Sequence, residues 1–332
     1  MKREQRGAIL VMTLLIVAVV STLAVNFASA FQLTLARAEN RWHGSQARAY
    51  LMGAEELALS VLSEDRESND FDHLGEDWAQ EIPPFPVEGG WLAARVEDAQ
   101  GRFNINNVSG RVAGNENGQA VGAARFTEAQ RRMIRLLQTL GEEPLTEEES
   151  VALVEAIIDW LDSDDTVMGF GGAESDYYNS LDEPYAAANQ NMVSVTELRL
   201  VRHMTPALYE SLEPLLVALP EKVAININTA QSSLLRALNV ADSLSPQSLE
   251  DTERWVAARG AEGFETVQNF VDTDSVQDTL PEGLNLPTEE LSVSSEYFIL
   301  WSEAQVARQR RQMNSVVNRT EETTSIIRRS DG

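Results

Sequence analysis

The sequence has no cysteine, which excludes a disulfide framework, a thiolate metal site, iron–sulfur ligation and a cysteine nucleophile. Only three histidines occur, His43, His73 and His203, spaced too widely for the usual zinc patterns. Cations are scarce: 26 Lys and Arg stand against 52 Asp and Glu in 332 residues, a formal net charge of −26. Such a chain repels polyphosphate, so general nucleic-acid binding is disfavoured. The sequence also lacks Gly-x-Ser-x-Gly, a phosphate loop ending in Gly-Lys, and His-Glu-x-x-His. Paired carboxylates such as Asp159 and Asp162 are expected by chance in so acidic a chain and do not by themselves argue for a glycosidase. The expectation is a protein that is not an enzyme.

What is present is arranged in blocks. Residues 1–52 carry a net charge of +4, residues 53–304 carry −33, and the tail from 305 carries +3. Ala8 to Ala30 contains no charged residue, enough apolar chain to span a bilayer as a helix. Lys2, Arg3 and Arg6 precede it, which leaves the short N-terminus in the cytoplasm and the body on the far side. Ala28-Ser29-Ala30 would suit signal-peptide cleavage, but the apolar run exceeds the core of such peptides. Helix-compatible residues continue to about Leu62, with no proline before Pro83 and with Gly44 and Gly53 as weak spots. The expectation is one helix over 8–62, membrane-spanning over 8–30.

The leader Lys2-Arg3-Glu4-Gln5-Arg6-Gly7, followed by Ala8-Ile9-Leu10-Val11-Met12, resembles that of type IV prepilins. The resemblance implies cleavage by a prepilin peptidase between Gly7 and Ala8 and methylation of the Ala8 amine. Most pilins and pseudopilins have Glu at the fifth mature position; here it is Met12. Lacking that carboxylate, the chain cannot pair with the terminal ammonium of a preceding subunit in lipid. This departure resembles the protein K family of minor pseudopilins of type II secretion, and implies a place at the top of a filament.

After the rod, residues 63–90 read as a long connection. Trp91 to Glu97 and Arg102 to Asn106 read as strands of a hairpin turning at Asp98-Ala99-Gln100-Gly101. Tyr297 to Trp301 is a further strand, and Met313 to Val317 and Thr323 to Ile327 are weaker ones. Between them helices dominate. Thr127 opens one, Thr146 with Glu149 and Ser194 with Glu197 form capping boxes, and Thr205-Pro206 and Ser245-Pro246 mark further starts. The expected fold is α+β: a long N-terminal helix, a small pilin-like antiparallel sheet and a large inserted helical domain. Its boundaries fall at a leader 1–7, rod 8–62, first sheet part 63–108, insert 109–288, and second sheet part with a basic tail 289–332. A large helical insert is also what the resemblance implies.

Two constellations carry candidate chemistry. Asp159, Asp162, Asp164, Asp165, Glu174 and Asp176 surround the glycine-rich Met168-Gly169-Phe170-Gly171-Gly172. Hard oxygens on a loop after a helix suit a structural calcium ion, although the spacing is not that of an EF-hand. Ile225-Asn226-Ile227-Asn228-Thr229-Ala230 and the segments after it resemble a helix–hairpin–helix, the basis of an alternative reading as a membrane-tethered DNA receptor. However, the connection 239–245 has no glycine for a phosphate cradle and bears Asp242, so a structural role fits better. Phe103-Asn104-Ile105-Asn106-Asn107-Val108 echoes the same motif.

The resemblance implies a function in protein export: capping the tip of a periplasmic pseudopilus and initiating its assembly. The implied partners are the I, J and H minor pseudopilins, the peptidase, the inner-membrane assembly platform, and secreted cargo or the outer-membrane secretin, with no nucleic acid. The implied location is the bacterial inner membrane, single-pass, with the body in the periplasm.

Overall fold

The computed structural model describes residues 4–80, 83–112, 120–141 and 143–331. Helix α1, Glu4–Ser68, is uninterrupted. At about 1.5 Å per residue it is roughly 100 Å long. From Ala8 to Ala36 it is exposed and without charge, including Met12. Its second half turns a stripe of Ala47, Leu51, Ala54, Ala58 and Leu62 onto a sheet, the three- and four-residue spacing that places side chains on one helical face. Gly44 and Gly53 do not interrupt it, because packing outweighs the roughly 1 kcal/mol that glycine costs in a helix.

The sheet has five antiparallel strands in chain order: β1 Phe85–Val87, β2 Gly90–Asp98, β3 Tyr297–Val306, β4 Gln309–Arg319 and β5 Thr324–Asp331. β2 and β3 pair from Gly90↔Val306 to Asp98↔Phe298, although about two hundred residues separate them in sequence. Ala304, Val306 and Met313 pack on Ala47 and Leu51, and Phe298 and Val317 on Leu62 and Trp78. Buried Glu55 of α1 accepts from Ser315 Oγ and from Arg329 Nε at 2.8 Å, joining helix to strands by charge as well.

Three expectations are corrected. The first is the connection read at 63–90: its start is the end of α1 and its end contains β1. The second is the hairpin at 98–101. Asp98 instead caps a 3-10 turn, accepting from Gln100 N, and the chain leaves the sheet there. Phe103–Asn104 pairs in parallel with Leu216–Val217. Alternation alone could not distinguish a hairpin arm from a strand whose partner lies a hundred residues on. The third is the helix expected to start at Ser245-Pro246. Gln247 N donates to Arg236 O at 2.8 Å, and the helix begins at Leu249 with Ser248 as its cap.

Between β2 and β3 lie α2, Glu128–Leu137, α3, Glu147–Leu161, and several shorter helices around one core that includes Phe103, Ile134, Ile157, Trp160, Ile227 and Trp255. Both capping boxes expected at Thr146 and Ser194 are present. The echo between Phe103 to Val108 and Ile225 to Ala230 has the same geometry in each copy. The second Asn nitrogen donates to the first Asn side chain, as Asn106 does to Asn104 and Asn228 to Asn226. The second Asn side chain then spans both backbone groups of a distant residue, Met192 for Asn106 and Phe264 for Asn228. Each copy also opens a short parallel strand pair, Phe103–Asn104 with Leu216–Val217 and Ile225–Asn226 with Leu291–Ser292.

Candidate functional site

The acidic loop is built from α3. Its capping box fixes where the helix starts, and Glu155 and Asp159, four residues apart, come to lie on one buried face. Glu155 accepts from Phe170 N at 3.1 Å and Gly171 N at 2.8 Å and pairs with Arg125. Asp159 accepts from Met168 N at 3.0 Å. The loop lies so close to α3 that a Cβ on Gly171 would be 2.2 Å from Ala152 Cα, and one on Gly172 would be 2.2 Å from Asp159 Oδ2. Gly169 also has a φ of +61°. From the other side Arg202 Nη1 donates to Gly172 O at 3.0 Å. The loop is thereby pinned, with Phe170 fully exposed at its tip.

Three of the six acids singled out in the sequence converge: Asp162, Asp164 and Glu174 each place a carboxylate oxygen within 4.8 Å of the others. Asp159 lies beside them, engaged with Met168 N. Asp165 and Asp176 are exposed and outside this triad. Glu174 is 3% exposed, and among the described residues both its carboxylate oxygens are buried without a hydrogen-bond partner. Asp162 Oδ1 is in the same condition, and so is Asn189 Oδ1, whose amide nitrogen donates to Asp164 O.

Burial, followed by repulsion from Asp159, Asp162, Asp165 and Asp164, pushes Glu174 up to about 7. Burial also raises Asp159 to about 6, against the pull of the Met168 N–H. Asp162 is raised by burial and by Asp164, whereas Asp164 is lowered by the Thr166 hydroxyl and N–H. Unmet, buried, oxygen-only acceptors are what a hard cation with irregular coordination requires. The residues fit calcium: Asp162, Asp164 and Glu174 would hold it, and it would neutralise their mutual repulsion.

Arg111 Nη2 reaches this triad from outside the loop, 3.3 Å from Asp162 Oδ2, 3.3 Å from Asp164 Oδ1 and 3.0 Å from Thr166 O. Sequence reasoning missed Arg111, Asn189 and Glu155. Glu155, four residues before Asp159, was open to discovery by helical spacing; the other two are placed only by tertiary folding.

A second acid triad, Asp65, Asp72 and Glu76, lies where α1 ends. Here Arg319 of β4, 2% exposed, donates to Asp65 and Asp72. Ser295 N donates to Asp72, and Asn69, His73 N and Trp78 donate to Glu76.

The helix–hairpin–helix candidate is tied inward. Arg135 of α2 donates to the carbonyls of Ala237, Val240 and Ser243. This chain's own guanidinium thus sits inside the connection, and the two Asn residues brace turns, which is a structural use of the motif.

Compared with known proteins, residues 101–221 and 225–294 match the family descriptions for type II secretion system protein K. The chain belongs to that family. The two matched segments open at the two Asn-rich copies described above. The chain is 34% identical to type II secretion system protein K of Aeromonas hydrophila, over 99% of this chain and 98% of that one. It is 32% identical to the Pseudomonas aeruginosa protein K, over 96% and 90%. The fold is similar to the solved GspK-GspI-GspJ complex from enterotoxigenic Escherichia coli, with a TM-score of 0.73, 28% identity, and coverage of 89% of this chain and 99% of that chain.

Proposed function

We propose that this chain is the minor pseudopilin at the tip of a type II secretion pseudopilus. In this reading it is anchored in the inner membrane by residues 8–30, has its body in the periplasm, and caps and initiates the filament. The observation that carries the reading is α1, a single helix that is exposed and without charge from Ala8 to Ala36 while its second half is docked on the sheet. The bare half is what sister stalks and lipid cover in an assembled filament. Met12 offers no carboxylate to a terminal ammonium above it, and about two hundred residues inserted between β2 and β3 supply the bulk that, in this reading, bars a subunit from stacking on top. The I and J minor pseudopilins are the first partners, supported by the solved complex of the related protein K with those two proteins. The H component, prepilin peptidase, assembly platform, and cargo or secretin follow from the same reading. Calcium held by Asp162, Asp164 and Glu174 is structural in this scheme, keeping the loop after α3 closed.

The test is the mass of the mature N-terminus isolated from membranes, together with co-purification of I and J. A chain beginning at N-methylated Ala8 that brings down both partners supports the reading. One beginning at Phe31 removes the stalk and overturns it. Deleting residues 109–288 should leave membrane anchoring intact and abolish secretion; normal secretion by that variant would refute the capping role.

A further inference from the structure

The two acid triads each hold an arginine, and the two arginines are in different states. Arg319 is buried, and the carboxylates around it are satisfied by it and by nearby N–H groups. Its triad holds a buried cation paired with Asp65 and Asp72. Arg111 is half-exposed, with 44% of its side chain open to solvent. It bonds one oxygen each of Asp162 and Asp164 and leaves Asp162 Oδ1 and both oxygens of Glu174 unmet. Between Arg135 and Arg199 the sequence contains fifteen carboxylates and no Lys, Arg or His. Among the described residues the one cation at this triad, Arg111, is therefore imported from an earlier segment. The backbone beneath it is fixed: Gln130 Nε2 donates to Val108 O and Gly110 O, and Lys222 Nζ to Ser109 O. Arg111 thus carries a half-exposed charge on a backbone held by hydrogen bonds.

We propose that Arg111 is a tethered counter-cation that competes with the metal ion for the Asp162–Asp164–Glu174 site, so that loading the site is an exchange of cations. The proposal rests on the calcium reading above and adds regulation to it. A divalent ion on these oxygens places its charge beside the guanidinium, and the two repel at close range. Without the ion, Arg111 screens Asp162 and Asp164 from one another and keeps the loop closed. With it, Arg111 swings to solvent, at little cost because its head is already half there. Arg111 thereby weakens ion affinity and protects the empty site, which makes the site exchangeable where the Arg319 triad is sealed.

The experiment is calorimetric titration of calcium chloride into the metal-free full chain in detergent, for wild type, Arg111→Gln and Arg111→Lys, with metal-free melting curves for each. The exchange predicts that Arg111→Gln binds calcium roughly tenfold more tightly while its metal-free form melts at a lower temperature. Arg111→Lys, which keeps the charge, should stay near wild type in both. Weaker calcium binding by Arg111→Gln would mean that Arg111 orients the ligands for the ion, and equal binding would make it a bystander; either overturns the exchange. If neither wild type nor Arg111→Gln takes up calcium, the metal reading fails and the exchange fails with it, a result distinct from equal affinities.

Discussion

Asp98 and Asn226, 128 positions apart, share a buried hydrogen bond in which Asn226 Nδ2 donates to Asp98 Oδ2 at 2.9 Å. Thr229 Oγ1, Ser295 Oγ and Gln100 N also donate to this carboxylate, at 2.5, 2.7 and 2.7 Å. The last residue of β2 thus gathers donors from both ends of the inserted region at the point where the chain leaves the sheet. Asp98→Ala leaves these donors buried and unmet, at about 1–3 kcal/mol for each that finds no water. A loss of about 3 kcal/mol or more is expected in urea unfolding of the full chain. A loss under about 1 kcal/mol would contradict this role.

Glu174 should give the metal-free protein an unusual pH dependence. Its folded value, about 7, lies above the ordinary 4.5, so the folded state holds this proton more tightly than the unfolded state. The stabilisation from this group is fully present below about 4.5 and is lost as pH rises to about 7. Lowering the pH from about 7.5 to 5.5 should therefore raise the metal-free melting temperature, and Glu174→Gln should flatten that rise. Calcium binding near pH 6.5 should release protons, seen as binding heats that change with the ionisation heat of the buffer. Buffer-independent heats would count against Glu174 as a ligand.

Two glycine substitutions should move stability in opposite directions. At Gly171 a new Cβ would be 2.2 Å from the Ala152 backbone, so Gly171→Ala must push the loop off α3 and disturb its bonds to Glu155. The expected cost is about 1–3 kcal/mol, with weakened calcium affinity. At Gly53, on the exposed side of α1, a Cβ would meet nothing within 4 Å. Gly53→Ala should stabilise by about 0.5–1 kcal/mol through helix propensity alone. Equal effects in denaturant melts would contradict both accounts.

The two Asn-rich copies should respond alike. Asn106 holds Met192 by both backbone groups, and Asn228 holds Phe264 in the same way. Asn228→Ala should cost about 2–4 kcal/mol, from one orphaned donor and one orphaned acceptor, and Asn106→Ala should cost at least as much, because Asn106 Nδ2 also donates to Leu219 O at 2.8 Å. Aspartate at either position sets a second acceptor against the Met192 or Phe264 carbonyl and buries a charge, and should cost at least as much as alanine. If aspartate were tolerated like wild type at both sites, the two-point grip would not be what these residues contribute.

Local order explains what could be read from the chain alone. The charge-free stretch from Ala8 to Ala30, the lack of proline before Pro83, the caps at Thr127, Thr146, Ser194 and Thr205, and the strand from Trp91 are written within a few residues of where they act. Hydrophobic spacing and capping are short-range, so the long helix, the split sheet and the helical insert followed from sequence. Tertiary structure decided the rest. It made Asp98 an exit from the sheet instead of a hairpin turn, and joined Phe103 to Leu216. It brought Asp162, Asp164 and Glu174 together while leaving Asp165 and Asp176 outside. It carried Arg111 across fifty residues to the first two of them. Which acid faces inward, and which cation meets it, depends on distant backbone closing the space around them, because a carboxylate's partners and pKa are set by burial and neighbouring charge rather than by adjacent residues.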